Sequence, residues 1–362
     1  MSTTNNVTNP AVSASGEVDT LLIEKFTGKV KESYIRQENL LRFFDVQQVV
    51  GTNMVSEKFM GDTELQVLSP GQDPEATQTD QDKNALVVDT TVISRNAVAM
   101  FHDIQNDIEG YNSKLSMNQA KQLARLEDEM VVQQLIYSAQ SNTKAARTNP
   151  RVSGHGFSYQ ISISETQAGD PENLQAAIEL AIENMMTGKD GGDGVDLDDM
   201  YIILPWIEFN VLRDAERIVN AEYSTFQGDT VSGFTLKKFN VPVIPSNRFP
   251  RVAPNGTDVI SRTSQLSNST NGQRYTASLD QAKAKAVVFK PEALLTGKTI
   301  DMIGDIFWDR RSKSWFVDTY QAEGAIPSAW DAVSVVDVVG NTENTDVTAR
   351  ANRKVVKSKT VV

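Results

Sequence analysis

Residues 116–141, SMNQAKQLARLEDEMVVQQLIYSAQS, run 26 residues without Gly or Pro. A chain with such a run has to build around one long helix. Leu123, Leu126, Met130 and Ile136, with Ala120 and Ala139 near their edge, fall on one face at helical spacing. Gln119, Gln122, Arg125, Glu129 and Gln133 largely fill the other. Ser116 followed by Gln119 fits a capping box, in which hydroxyl and amide satisfy orphan backbone groups reciprocally. At about 1.5 Å per residue the helix is roughly 39 Å long. The mean globular helix has only about 11–12 residues, so this one reads as a beam for the rest of the chain.

Composition removes several classes of function. The 362 residues suffice for two or three domains. No run reaches the length of apolar residues that a membrane span needs. The opening MSTTNNVTNPAVSASGE lacks the charged and apolar parts of a secretory signal and has the polar make-up of a disordered arm. Cysteine is absent, which excludes disulfides, thiolate metal sites and cysteine nucleophiles. Only His102 and His155 supply imidazole, little material for a zinc site or a Ser-His-Asp triad. No cofactor or metal site, and no enzyme activity, is expected. The net charge of −12 is unsuited to gripping duplex DNA, which needs a dense cationic face. It suits a container that must not stick to its cargo.

In chain order, an N-terminal arm spans 1–50. Within it, residues 20–31 are amphipathic, with Leu22, Ile23 and Phe26 on one face. Residues 51–96 read as a long β-hairpin. Its first strand is placed at 63–68, where polar and apolar residues alternate, and its second at 85–93. Ser69-Pro70-Gly71 breaks it, and a polar run follows. A bare hairpin is marginal in water and no third strand is adjacent, so it is expected to lie on another subunit. The candidate contact residues are Glu64, Leu65, Val67, Pro70, Gly71, Asp73, Glu75 and Lys83. Residues 97–110 read as a short helix carrying His102. Asp170 and Pro171 open a helix that Gly188 closes. Residues 200–205 form a buried strand followed by a helix. The two prolines of 241–245 suggest an edge strand. Residues 248–284 read as a surface loop. Further strands are expected at 286–289, 299–308, 314–320 and 332–339, before a solvated basic tail at 339–362.

Three motifs invite chemistry and fail. Thr296-Gly297-Lys298-Thr299 ends like a phosphate-binding loop, but Glu292 stands where the first glycine is required, and a turn is simpler. Residues 189–199 hold five carboxylates within ten residues and could attract calcium. They miss the EF-hand spacing and match one nonapeptide calcium repeat only partly, so a solvated acidic turn is preferred. Glu127, Asp128 and Glu129 are consecutive, so they diverge around the helix and suit salt bridges better than a shared substrate.

The order of parts resembles the major capsid protein of tailed phages, the Hong Kong 97-like fold, and most closely the coat proteins of short-tailed (podovirus, T-seven-type) phages. Five segments carry the likeness: Phe26-Thr27-Gly28-Lys29-Val30, Leu68-Ser69-Pro70-Gly71-Gln72, Asp103-Ile104-Gln105-Asn106-Asp107, Phe239-Asn240-Val241-Pro242-Val243, with Lys238 where glycine is usual, and the closing turn Ala322-Glu323-Gly324-Ala325-Ile326-Pro327. The likeness spans residues 20–338. It implies an α+β chain with an arm (1–50), an extended loop (51–96), a peripheral domain with spine helix (97–168), an axial domain (169–290), peripheral return strands (291–324), a final axial strand (325–338) and a tail. It also implies hexamers and pentamers of this chain in an icosahedral shell around double-stranded DNA, assembled in the host cytoplasm with scaffolding and portal proteins, and open to a cement protein. An encapsulin-type nanocompartment shell is the alternative. An acidic calcium-binding secreted protein or hydrolase is the second.

Overall fold

The computed structural model describes residues 39–71, 73, 75–101, 111–224 and 230–359. The motif at 26–30, His102 and the motif at 103–107 lie outside them. The long helix α1 spans Tyr111–Ser141, about 46 Å at 1.5 Å per residue. Ser116 lies within it, so it does not cap the start.

The larger sheet has seven strands: β5 (Tyr159–Ile163), β6 (Tyr201–Pro205), β7 (Ile218–Ser224), β8 (Thr230–Leu236), β9 (Pro242–Ser246), β12 (Ala284–Phe289) and β15 (Val333–Val338), in the order β5-β15-β12-β6-β9-β8-β7. Its central strands are apolar without alternation because both faces are covered. Ile202, Leu204, Val288 and Val336 point into a core shared with helices α3 (Pro171–Thr187) and α4 (Trp206–Asp214). Tyr201, Ile203, Val287, Phe289 and Val335 point the other way, onto the second half of α1 and a short 3-10 turn, Leu40–Phe43. There Phe44 stacks on Phe289 at 5.2 Å and Phe43 meets Tyr201 at 4.8 Å. Asp170 caps α3 by accepting the Asn173 amide, and Gly188 ends it at φ 57°. A five-residue helix, α2 (Glu165–Gly169), precedes it, opened by a capping box of Ser164 and Gln167.

The smaller sheet, β1-β13-β14-β4, joins β1 (Val46–Gln48), β4 (Thr91–Ala99), β13 (Leu294–Asp309) and β14 (Ser314–Pro327). Strand β2 (Met54–Met60) pairs with β3 (Gln81–Val87) as a separate hairpin. A small hairpin, β10 (Arg251–Val252) with β11 (Val259–Ile260), lies inside the 248–284 region.

Several expectations change. Residues 63–68 are not a strand: they have the right pattern but no partner among the described residues. Residues 91–99 belong to the smaller sheet, so 97–99 extend β4 instead of starting a helix. The 296–299 segment is strand, not turn, and the supposed closing turn at 322–327 is the end of β14. The return strands therefore reach Pro327, and the final strand is confined to 333–338. Strand β9 is not at the sheet edge. Only Pro242 and Val243 pair with β8, so Pro245 sits where no second neighbour claims its missing amide hydrogen.

The tail also differs. It carries helix α5 (Thr345–Lys359). Asn344 caps it by accepting the amides of Asp346 and Val347. Val347 and Ala351 enter the core beside α3, and Arg350 pairs with Glu183 and with Glu179 at 3.4 Å.

The 248–284 region is not a free loop. It lies along α1: Leu266 and Tyr275 pack on Leu126 and Met130. The Tyr275 hydroxyl donates to the Ala325 carbonyl at 2.9 Å and accepts the Ala325 amide at 3.1 Å. Replacing Tyr275 by Phe strips two buried backbone groups of their partner. Urea unfolding of Tyr275→Phe is expected to lose about 1–3 kcal/mol.

Candidate functional site

Two stretches of the described surface leave apolar side chains open to solvent, and neither is a cleft. The first is the end of the β2–β3 hairpin. Its root is held firmly. Leu86, Val88 and Val55 pack on Leu295, Ala322 and Ile326 of the smaller sheet. Asn84 donates to the Pro327 carbonyl at 2.8 Å, and the Ser328 hydroxyl donates to Glu57. The Arg151 guanidinium lies between two rings, 4.6 Å from Phe59 and 4.7 Å from Trp330. Burial lowers its proton affinity, which the charges of Asp82 and Glu57 partly restore. His155 meets the edge of Phe59 at 5.8 Å and lies 3.6 Å from Asp331. Burial raises the Asp331 carboxyl, against the pull of His155.

Beyond the Gly61 amide, which donates to the Asp80 carbonyl at 2.9 Å, the ladder stops. Leu65 and Val67 are 94% and 93% exposed, and Leu68 is also open. Glu64, Pro70, Gly71, Asp73 and Glu75 are exposed around them, with Gly71 at φ 84° shaping the turn. Gln66 spans the loop by donating to the Glu75 carbonyl at 2.7 Å. Lys83 is exposed on β3, opposite Lys58. An extended apolar segment with unclaimed backbone is a template for another chain. Covering each of these aliphatic side chains is worth about 1.5–3 kcal/mol.

The second stretch, which sequence reasoning missed, is the outer face of the smaller sheet. In register, Phe307 faces Phe316, Ile303 faces Tyr320, and Tyr320 faces Ile93. Phe307 and Phe316 stack at 5.5 Å, and Ile93 and Ile303 are exposed. Arg95 crosses this face to Asp318, donating at 2.6 and 2.8 Å. The alternate residues turn toward α1, where Gln119 donates to the Val317 carbonyl at 3.0 Å and accepts the Thr319 hydroxyl at 2.9 Å. The period-2 pattern of 300–308 contained this signal, masked because apolar residues occur on both faces.

Leu123, Leu126, Met130 and Ile136 of α1 are all buried. Of its expected polar face, Gln119, Glu129 and Gln133 are buried too, and Gln122 and Arg125 are half-buried. Gln133 donates to the Arg274 carbonyl at 3.1 Å and to Gln281 at 3.2 Å. Asp128 accepts the Leu40 amide at 2.8 Å and lies 3.5 Å from the buried Arg248. Glu129 pairs with Arg125 at 2.7 Å and accepts the Arg262 amide at 3.0 Å.

The acidic turn at 189–199 is closed by backbone bonds, among them the Val195 amide to the Met185 carbonyl at 2.9 Å. A Cβ on Gly194 would come within 2.1 Å of the Met186 carbonyl oxygen. Among the described residues, no three His, Asp or Glu side chains converge as a metal site, and no helix is long and apolar enough to cross a membrane. Replacing Leu65, Val67 and Leu68 together by Ser is expected to leave the unfolding free energy of the isolated chain unchanged within about 0.5 kcal/mol per site. Thermal denaturation checks it.

No family model matches the sequence, and no curated protein matches it. Among solved structures, the chain is similar to the mature capsid of bacteriophage PhiM1, with 19% identity over 93% of this chain and 99% of that chain and a TM-score of 0.66. The capsid of cyanophage P-SCSP1u gives 16% identity, 90% and 95% coverage, and a TM-score of 0.66. The holo-SrpI encapsulin complex of Synechococcus elongatus PCC 7942 gives 10% identity, 89% and 94% coverage, and a TM-score of 0.53. The chain has the Hong Kong 97-like capsid fold, an α+β architecture.

Proposed function

We propose that the protein is the major capsid protein of a tailed phage, forming hexamers and pentamers of an icosahedral shell around double-stranded DNA. One observation carries this reading: the hairpin is anchored to its own body at the root, yet presents Leu65, Val67 and Leu68 to solvent beyond it. An end of that kind is stable and soluble only when a second copy covers it. The similarity to two phage capsids over nearly their whole length supports the same reading. The short-tailed type is part of the proposal, as are scaffolding and portal partners, a cement protein, assembly in the host cytoplasm and residence in the virion.

In this reading residues 51–96 are the extended loop. The smaller sheet with its return strands makes the peripheral domain around α1, and the seven-stranded sheet, β5 and β15 included, the axial domain. The net charge of −12 keeps the wall from adhering to packaged DNA. The role is structural, not enzymatic. The encapsulin likeness favours a second reading, a nanocompartment shell around a protein cargo.

Expression with and without a scaffolding protein, followed by light scattering and negative-stain microscopy, is expected to give closed shells. A monomer under every condition contradicts the proposal, and protein cargo in place of DNA inside native particles selects the nanocompartment. Replacing residues 62–79 by Asn-Gly, which closes the hairpin at the Gly61–Asp80 bond, is expected to give a folded chain that forms no closed shells. Normal particles from that variant remove the loop from the interface.

A further inference from the structure

A buried carboxyl group lies where α1 crosses the long strands of the smaller sheet. Glu323 on β14 is 6% exposed and stands opposite Lys298 of β13. Its Oε1 accepts the Gln321 amide at 2.9 Å. Its Oε2 is buried without a hydrogen-bond partner. The Lys298 ammonium stops 3.6 Å from that oxygen and leans instead to Glu127 of α1, at 3.2 Å. Two carboxyl groups therefore share one cation. Ionising both leaves a net negative charge away from water, which is strongly unfavourable. A proton on Glu323 removes that charge.

The position matters for the whole molecule. The β13–β14 register shifts just after Lys298. The neighbouring Gly297 and Gly324 abut Leu86 of the hairpin root, where added Cβ atoms would lie 3.0 and 3.1 Å from its methyl groups. The charged or titratable groups around Glu323 are Glu127 from α1, Lys298 and, behind it, Asp301 from β13, and Tyr275 from the 248–284 region. Burial first, then the charge of Glu127, pushes the Glu323 carboxyl well above its ordinary range, against the pull of Lys298.

We propose that Glu323 carries a proton in the folded protein, and that this proton locks α1 onto the β13–β14 sheet beside the hairpin root. The joint loosens as pH rises. The sign follows from linkage: the folded chain holds this proton more tightly than the unfolded chain. The stabilisation is complete below the ordinary carboxylate range and is lost as pH climbs through the raised value. Asp331 and Asp337 are also buried and raised, so a comparison between variants, in which their contributions cancel, isolates Glu323.

The test is the thermal midpoint of the full chain, wild type against Glu323→Gln, from below the ordinary carboxylate range to mildly alkaline pH. Gln has nearly the shape of the protonated acid and cannot ionise. The two midpoints are expected to run in parallel at the acidic end and to separate as pH climbs from the ordinary carboxylate range toward the raised value, the wild type falling by at least ~2 °C relative to the variant. Amide protection around 126–130 and 296–300, taken relative to the base-catalysed intrinsic rate, is expected to fall with pH in the wild type alone. Parallel curves with unchanged protection overturn the proposal. If Glu323→Gln does not fold, Glu127→Gln decides. It removes the second cause of the rise, the charge of Glu127, and leaves burial in place, so the alkaline fall shrinks without vanishing, and an undiminished fall overturns the proposal.

Discussion

The constraint on which this structure depends is a long helix whose polar side has to be satisfied without water. In its second half α1 is buried around most of its circumference, so Asp128, Glu129, Gln133 and Gln134 lie inside the protein. A buried polar group without a partner costs about 1–3 kcal/mol. The chain answers with distant segments. The start of the described chain supplies the Leu40 amide, the 248–284 region supplies Arg248, Arg262 and Arg274, and β13 supplies Lys298. All but the last of these bonds fix a part of the chain that has little secondary structure of its own. The helix is a beam because the rest of the molecule is fastened to it.

That arrangement decides which surfaces remain open. One face of the seven-stranded sheet is filled by α3, α4 and α5, the other by α1 and the aromatic turn at 40–44. The smaller sheet has only one face on α1, which leaves Phe307, Tyr320 and Ile93 outward. The hairpin is clamped at its root by Arg151, Phe59 and Trp330, so its end is directed, not tethered loosely. On the proposed reading, a rigid root with an uncovered apolar end suits a subunit whose interface its neighbours complete. The same geometry serves a phage shell or a nanocompartment shell, because both ask for a tile.

Much of this was legible in the sequence where local rules act alone. Asp170, Pro171 and Gly188 mark the ends of α3, and the apolar runs of 200–204 and 286–289 are the doubly covered strands. The failures have physical causes. Residues 63–68 alternate like a strand, but pairing is not a local property and no described strand pairs with them. The glutamines of α1 marked only a polar face, because residue type does not reveal a partner more than a hundred positions away. The basic tail looked solvated because its cations outweigh Val347 and Ala351, although Asn344 already gave the helix a cap. The open face of the smaller sheet was hidden because apolar residues occur on both of its sides.

The central claim is that the hairpin end touches another copy. The direct measurement uses particles assembled from equal parts of light and heavy-nitrogen chain, coupled with a carbodiimide and digested. Cross-links from Glu64, Asp73 or Glu75 to a lysine are predicted to join light to heavy peptides as often as like to like. Links that join only like to like would place the hairpin end on its own subunit and contradict the account.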